Sequence, residues 1–150
     1  ARYGELASRA LAAGFQVAAQ GSTTEKLFAE EVRAIAPGVA DLTGKLSIGA
    51  LGGFLERCTA FVTNDTGPMH MARALGVPTL AFFGSTDPAM FDFRGHAVLF
   101  AGLPCSPCSF FGRAECPEGH FRCMLDLTVD RAWDALQPLL SGQRVPLLSA

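Results

Sequence analysis

The residues best placed to do chemistry lie in one stretch, Phe61-Val62-Thr63-Asn64-Asp65-Thr66-Gly67-Pro68-Met69-His70. Its first residues read as a buried strand, and Pro68 suits the first turn of a helix, where a missing N–H costs nothing. The polar turn between them therefore lies at the carboxyl end of a strand, the edge where open α/β sheets bind their ligands. The free N–H groups and positive dipole end of the following helix favour a phosphate there. Gly67 lets an anion approach the backbone, Thr66 adds a hydroxyl donor, and His70 in the first turn is placed to face the same anion. Asp65 would repel a phosphate and is better used to accept hydrogen bonds from sugar hydroxyls. Taken alone, Asn64, Asp65 and Thr66 are also ordinary helix-capping residues.

The elements that must hold this turn alternate along the chain. Helical spacing of Leu6, Ala7, Ala10 and Leu11 predicts a helix over 3–13, stopped at Gly14. Phe15-Gln16-Val17-Ala18-Ala19 reads as a buried strand. Ser22 with Glu25 three residues on forms a capping-box signature. Leu27, Phe28, Glu31, Val32 and Ile35 carry that helix to Pro37-Gly38. Ser47 caps another, with Ile48, Leu51, Phe54 and Leu55 expected on its buried side. A strand over 59–63, a helix from Pro68 to about Leu75 and a strand over 77–83 follow. This alternation at short spacing argues for parallel β-α-β units. After Gly84 the texture changes: residues 84–126 are rich in Gly, Pro, Phe and Cys, and only Ala97-Val98-Leu99-Phe100 resembles a strand. Loops this long inside a compact domain are usually functional or belong to an interface. Thr128 then caps a last helix through Trp133, Leu136 and Leu139, and the tail from Ser141 has no evident partner. That tail and the apolar loop lead us to expect an exposed, adhesive surface.

Composition narrows the function classes. The 150 residues fit one domain, are 49% apolar and 17% charged, and can fill a core. Twelve Lys and Arg against fourteen Asp and Glu give a net charge of −2, which argues against a nucleic-acid-gripping surface. No apolar run reaches the roughly 18 residues of a membrane-spanning helix, and residues 1–5 lack a signal-peptide pattern. Five cysteines, an odd number in a chain able to hold itself by burial, lean towards a reducing compartment. Cys58 reads as a small core residue. Cys105, Cys108, Cys116 and Cys123 supply enough thiolates for a tetrahedral zinc site, although only one true C-x-x-C is present. Reduced thiols in a loop ordered by packing are the expected state, with zinc or disulfides as alternatives. Phe110 and Phe111 would pack that loop or face an acceptor.

Asn64 to His70, then Ala72, Ala74, Leu75, Gly76, Pro78 and Phe83-Gly84-Ser85-Thr86-Asp87-Pro88, resembles glycosyltransferase family 9, the heptosyltransferases of the lipopolysaccharide inner core. Upstream the resemblance takes in Asp41-Leu42-Thr43-Gly44-Lys45-Leu46-Ser47. Downstream it takes in Cys105-Ser106-Pro107-Cys108, Cys116-Pro117-Glu118-Gly119-His120, Arg122-Cys123-Met124 and Asp126-Leu127-Thr128, and this Cys-rich block is nearest the heptosyltransferase II branch.

The resemblance implies an α/β fold, a Rossmann-like parallel sheet flanked by helices, forming the carboxyl-terminal half of a GT-B glycosyltransferase. Residues 1–150 would be an amino-terminally truncated donor-binding domain with a Cys-rich loop at about 102–126. It further implies ADP-heptose as donor and a lipopolysaccharide core acceptor bound through an amino-terminal domain. That domain would supply the general base, so no catalytic residue is expected here, and the fragment alone should not turn over. A lysine-bearing strand and a Trp-Pro pair would precede Ala1. Asp65, Thr66, Gly67 and His70 resemble the residues holding the diphosphate and donor sugar. Glu25 resembles a donor-contacting glutamate; Thr43, Gly44, Lys45 and Leu46 resemble the adenine-pocket loop. Gly84, Ser85 and Thr86 would complete the cleft wall. No cofactor is implied. The place of action would be the cytoplasm, at the inner face of the inner membrane, with peripheral association. A reading of another class is a non-catalytic, zinc-stabilised α/β binding module.

Overall fold

A computed structural model describes residues 1–142. From residue 143 onward, the tail expected to lack a partner lies outside the described residues. The chain forms two compact units, Ala1–Gly53 and a second beginning at Phe54.

In the first unit the order is α1 (Arg2–Ala12), β1 (Ala18–Ala19), a 3-10 turn (Thr23–Glu25), α2 (Lys26–Ile35), β2 (Ala40–Asp41) and the start of α3 (Ile48–Leu55). β1 and β2 are parallel, with Ala18 opposite Ala40 and Ala19 opposite Asp41. Strand pairing takes only the last two residues of the expected 15–19 run. β2 was not foreseen, because two residues beside Pro37-Gly38 and Asp41 show no alternation to read. Ala7, Ala36 and Val39 form a small core with Leu11, Val17, Ala19 and Val32 around it. Gly4 lets α1 and α2 close: a Cβ there would stand 2.9 Å from the Ile35 Cβ. On α2, Leu27, Phe28 and Ile35 are exposed while Ala29 is buried. Ile48 is likewise outward, 79% exposed, whereas Leu51 and Leu55 are buried as read from the spacing.

The second unit is built on β3 (Phe61–Asn64), β4 (Thr79–Phe83) and β5 (Ala97–Phe100), all parallel in the order β3-β4-β5. α4 (Gly67–Ala74) joins β3 to β4 and ends at Gly76, whose φ of +71° is a conformation glycine adopts without steric cost. Thr79, Leu80, Ala81 and Phe83 make β4 the buried centre of the sheet. Phe83, Met69, Ala81 and Phe93 cluster on one face. Burying a Phe or Met side chain fully is worth about 1.5–3 kcal/mol, so this cluster does much to hold α4 to the sheet. α6 (Val129–Leu140) packs on β4 and β5. Its Thr128 cap accepts from the Arg131 N–H at 3.3 Å. The inward positions are Ala132, Leu136 and Leu139, with Trp133 only half-buried. A 3-10 turn (Pro88–Met90) and α5 (Arg122–Leu125) interrupt the long loop and were not foreseen.

Candidate functional site

In the first unit the predicted residues gather at the carboxyl ends of β1 and β2. The Gly44 N–H donates to the Gly21 carbonyl at 2.8 Å, tying the two turns together. Gly44 has φ +70°, and a Cβ there would meet Thr23 Cγ2 at 2.6 Å, so conformation and space both require glycine. Glu25 closes the capping box: the Ser22 N–H and hydroxyl both donate to its Oε2, at 2.7 and 2.8 Å. These donors, the backbone N–H first, hold its carboxyl below the ordinary range. Asp41 was missed as a site-builder. It accepts the Thr43 N–H at 2.8 Å, which lowers its pKa, and its carbonyl accepts from Lys45 Nζ at 2.5 Å. Lys45 is therefore tethered rather than a free surface charge. Thr43 is buried. Leu46 is half-buried beside them.

In the second unit Asp65, Thr66, Gly67 and His70 stand at the carboxyl end of β3, as the spacing predicts. α4 starts at Gly67 with Thr66 as its extended N-cap, whose own side chain makes no capping bond. The first N–H groups of the helix are not taken by the Thr66 hydroxyl, which lies 3.1 Å from that of Thr63. His70 Nε2 lies 3.8 Å from Asp65 Oδ1, with side chains 46% and 20% exposed. That separation is an ion pair when the imidazole is protonated. The His70 ring also meets Phe91 edge-on, centroids 4.9 Å apart. Packing and charge thus both orient the histidine at the mouth of the turn.

Gly84, Ser85 and Thr86 follow β4 on the same edge, because β3 and β4 are parallel neighbours. Gly84 and Thr86 are buried, and the carbonyls of Gly84 and Ser85 face the Cys-rich loop. Ser106 Oγ donates to Gly84, and the Cys108 and Ser109 N–H groups donate to Ser85 at 2.9 Å each. These residues anchor the loop, a role their sequence did not disclose.

An open groove of about 670 Å³ continues from His70 along Arg73, Ala74, Asp92, Arg94 and His96. Its signal in the sequence is the i, i+3, i+4 spacing of His70, Arg73 and Ala74, which puts them on one helix face. The Arg73 guanidinium lies 4.3 Å from the Phe93 ring centroid and donates to the Asp92 carbonyl. Arg94, hydrogen-bonded to Asp92, brings its carboxyl down to about 2. Burial, then the Arg73 charge, lowers the His96 pKa.

The cysteine expectations are revised in part. All five described cysteines are free thiols. Cys58 is half-buried rather than core, its Sγ donating to the Phe54 carbonyl at 3.4 Å, and burial raises its pKa. Phe110 and Phe111 do not pack the loop: they are 75% and 98% exposed. Among the described residues no helix is long and apolar enough to cross a membrane.

Parallel sheets flanked by helices, with polar turns on their carboxyl edges, define an α/β protein. The chain belongs to glycosyltransferase family 9 (heptosyltransferase), whose family model matches residues 1–119. It is 28% identical over 144 residues to lipooligosaccharide heptosyltransferase 2 of Haemophilus influenzae, covering 93% of this chain and 42% of that protein. To lipopolysaccharide heptosyltransferase 1 of Pseudomonas aeruginosa it is 36% identical over 109 residues, covering 69% of this chain and 30% of that one. The structure of the E. coli ADP-heptose LPS heptosyltransferase II superposes with a TM-score of 0.74 at 27% identity, over 94% of this chain and 41% of that one. The chain thus spans less than half of the length of these relatives.

Proposed function

We propose that this chain is the donor-binding, carboxyl-terminal part of a GT-B heptosyltransferase, with the Cys-rich loop at about 102–126 as part of its 1–150 domain. The complete enzyme transfers heptose from ADP-heptose to an acceptor in the lipopolysaccharide inner core. It works in the cytoplasm, peripherally at the inner face of the inner membrane. The reading rests on one observation above all: in a family 9 chain, Asp65-Thr66-Gly67 follows a strand, opens a helix that the Thr66 side chain does not cap, and brings His70 within 3.8 Å of Asp65.

In the transfer, an acceptor hydroxyl attacks the anomeric carbon of the heptose and the nucleoside diphosphate leaves with the bonding electrons. Negative charge therefore grows on the diphosphate. The Gly67 N–H and the His70 imidazole receive it, and a preorganised donor aimed at developing charge is worth most in a site sheltered from water. Asp65 holds His70 and offers its remaining oxygen to a sugar hydroxyl. Glu25 and the Thr43-Gly44-Lys45-Leu46 turn serve the sugar and the adenine, while Gly84, Ser85 and Thr86 line the cleft. The proton of the acceptor hydroxyl is taken by a base outside this chain, so this chain alone does not turn over.

The test is transfer from ADP-heptose by the complete enzyme carrying His70→Ala. Removing one such donor typically costs about 10²–10³-fold in rate. The melting temperature should hold, since His70 is half-exposed. Unchanged transfer would overturn the assignment, and equal losses of activity and stability would mark His70 as structural only.

A further inference from the structure

The Asp87-Pro88 pair that follows the Gly84-Ser85-Thr86 turn has no part in the donor reading, yet it sets the path of the chain beside His70. Asp87 Oδ1 accepts the Ala89 N–H at 2.8 Å, and Pro88 opens the 3-10 turn. The Phe91 N–H closes that turn on the Pro88 carbonyl at 3.1 Å. Phe91 thereby lies half-buried against the Met69, Ala81, Phe83 and Phe93 cluster. Its ring centroid is 6.1 Å from that of Phe83 and 6.3 Å from that of Phe93, the second pair nearly perpendicular at 89°. Arg73, one turn along α4 from His70, ties the same segment to the helix. Its guanidinium donates to the Asp92 carbonyl and lies 4.3 Å from the Phe93 ring centroid. Phe91 is thus seated on the core and also meets the His70 ring, at 4.9 Å and an inclination of 65°.

Asp65 alone does not fix that imidazole. The 3.8 Å from His70 Nε2 to Asp65 Oδ1 is beyond hydrogen-bond reach, and the attraction is lost when the ring is neutral. With its side chain 46% exposed, His70 would otherwise be free to change rotamer. An edge-on contact with a ring seated in the core restrains both its place and its tilt. We propose that Phe91 is a positioning residue for the transfer: it holds the His70 imidazole turned to the donor diphosphate, and Arg73 and the Asp87-Pro88 turn hold Phe91. The inference rests on the role proposed for His70 above. Phe91 acts only through that ring, which then meets the growing charge of the leaving diphosphate without having to reorient.

The experiment is a double-mutant cycle in the complete enzyme, read as transfer from ADP-heptose. Phe91→Leu keeps apolar contact with Phe83 and Phe93 but removes the ring that meets His70. It should lower kcat and kcat/KM together, by about 10–100-fold, the scale of an ångström of misplacement, with KM nearly unchanged. Phe91→Tyr keeps the ring and should restore most of the rate. In a His70→Ala background Phe91→Leu should cost nothing further, because the group it positions is gone. Arg73→Met, which keeps an apolar stem but loses the bond to the Asp92 carbonyl, should show a smaller loss that also vanishes in that background. It serves as the second variant should Phe91→Leu fold poorly. Equal proportional losses in both backgrounds would make Phe91 structural only and overturn the proposal, as would full activity of Phe91→Leu beside an impaired His70→Ala. Unchanged transfer by His70→Ala itself would overturn the donor reading and this inference with it.

Discussion

Two parts of the second unit meet at Gly84 and follow different rules. On one side, β3, α4 and β4 satisfy their polar groups through strand register and helix geometry, and bury apolar side chains that the sequence spaces regularly. On the other, loop 102–126 is held by contacts between residues far apart: Ser106 with Gly84, Cys108 and Ser109 with Ser85, Cys105 with His120. The first region positions a candidate anion site with little freedom. The second borrows its order from the first, and its stability should be correspondingly separable.

The largest expected effect tests that order of dependence. Phe83 is fully buried at the centre of the cluster with Met69, Ala81 and Phe93. Phe83→Ala should cost about 3–5 kcal/mol, the usual penalty for a buried aromatic truncated to a cavity. Urea unfolding would measure it. A loss below about 1 kcal/mol would mean that the sheet is not what holds this unit.

Next comes the junction itself. A Cβ on Gly84 would stand 2.8 Å from Met124 Sδ and 3.0 Å from its Cγ. Gly84→Ala should therefore destabilise by about 1–3 kcal/mol through overpacking. Met124→Ala in the same chain should return part of that loss, and a double-mutant cycle reads the coupling directly. Strictly additive effects would show that loop and turn are not packed as described.

How much of this was legible follows the same division. Ser22 with Glu25, Ser47 with Ala50 and Thr128 with Arg131 are bonds across three residues, and each was readable as a cap. The β3–α4 turn was readable because Pro68 and Gly67 mark a helix start after an apolar run. Ile48 misled, since helical spacing says which residues share a face but not whether anything covers it. The anchoring of loop 102–126 was illegible because its partners stand 22 to 24 residues apart. No local pattern reports such a pair. Arg73 over Phe93 escaped for the same reason.

A smaller effect probes the local kind of bond. The folded pKa of Glu25 lies below the unfolded value of roughly 4.3. Its contribution is thus fully present above that value and is lost as pH falls through the folded pKa. Gln also serves in a capping box but does not titrate. Glu25→Gln should be less stable than the parent near neutrality, lose less stability between about pH 5 and 3, and converge on the parent in acid. Parallel curves of melting temperature against pH would remove the charge from the cap.

The smallest expected effect falls on the loop tip. Phe111 is 98% exposed, and its ring meets Phe110 at a centroid distance of 6.2 Å. An aromatic with nearly all of its surface in water contributes almost no burial, so Phe111→Ser should change stability by less than about 0.5 kcal/mol. Hydrophobic-dye binding should fall nonetheless, because the Phe110–Phe111 pair is an apolar point on the surface of this unit. The two readouts separate what the loop does for the fold from what it presents outward. If Phe111→Ser instead cost more than about 1 kcal/mol, the tip would be packing against the unit, and loop and sheet would share one core rather than a single seam at Gly84.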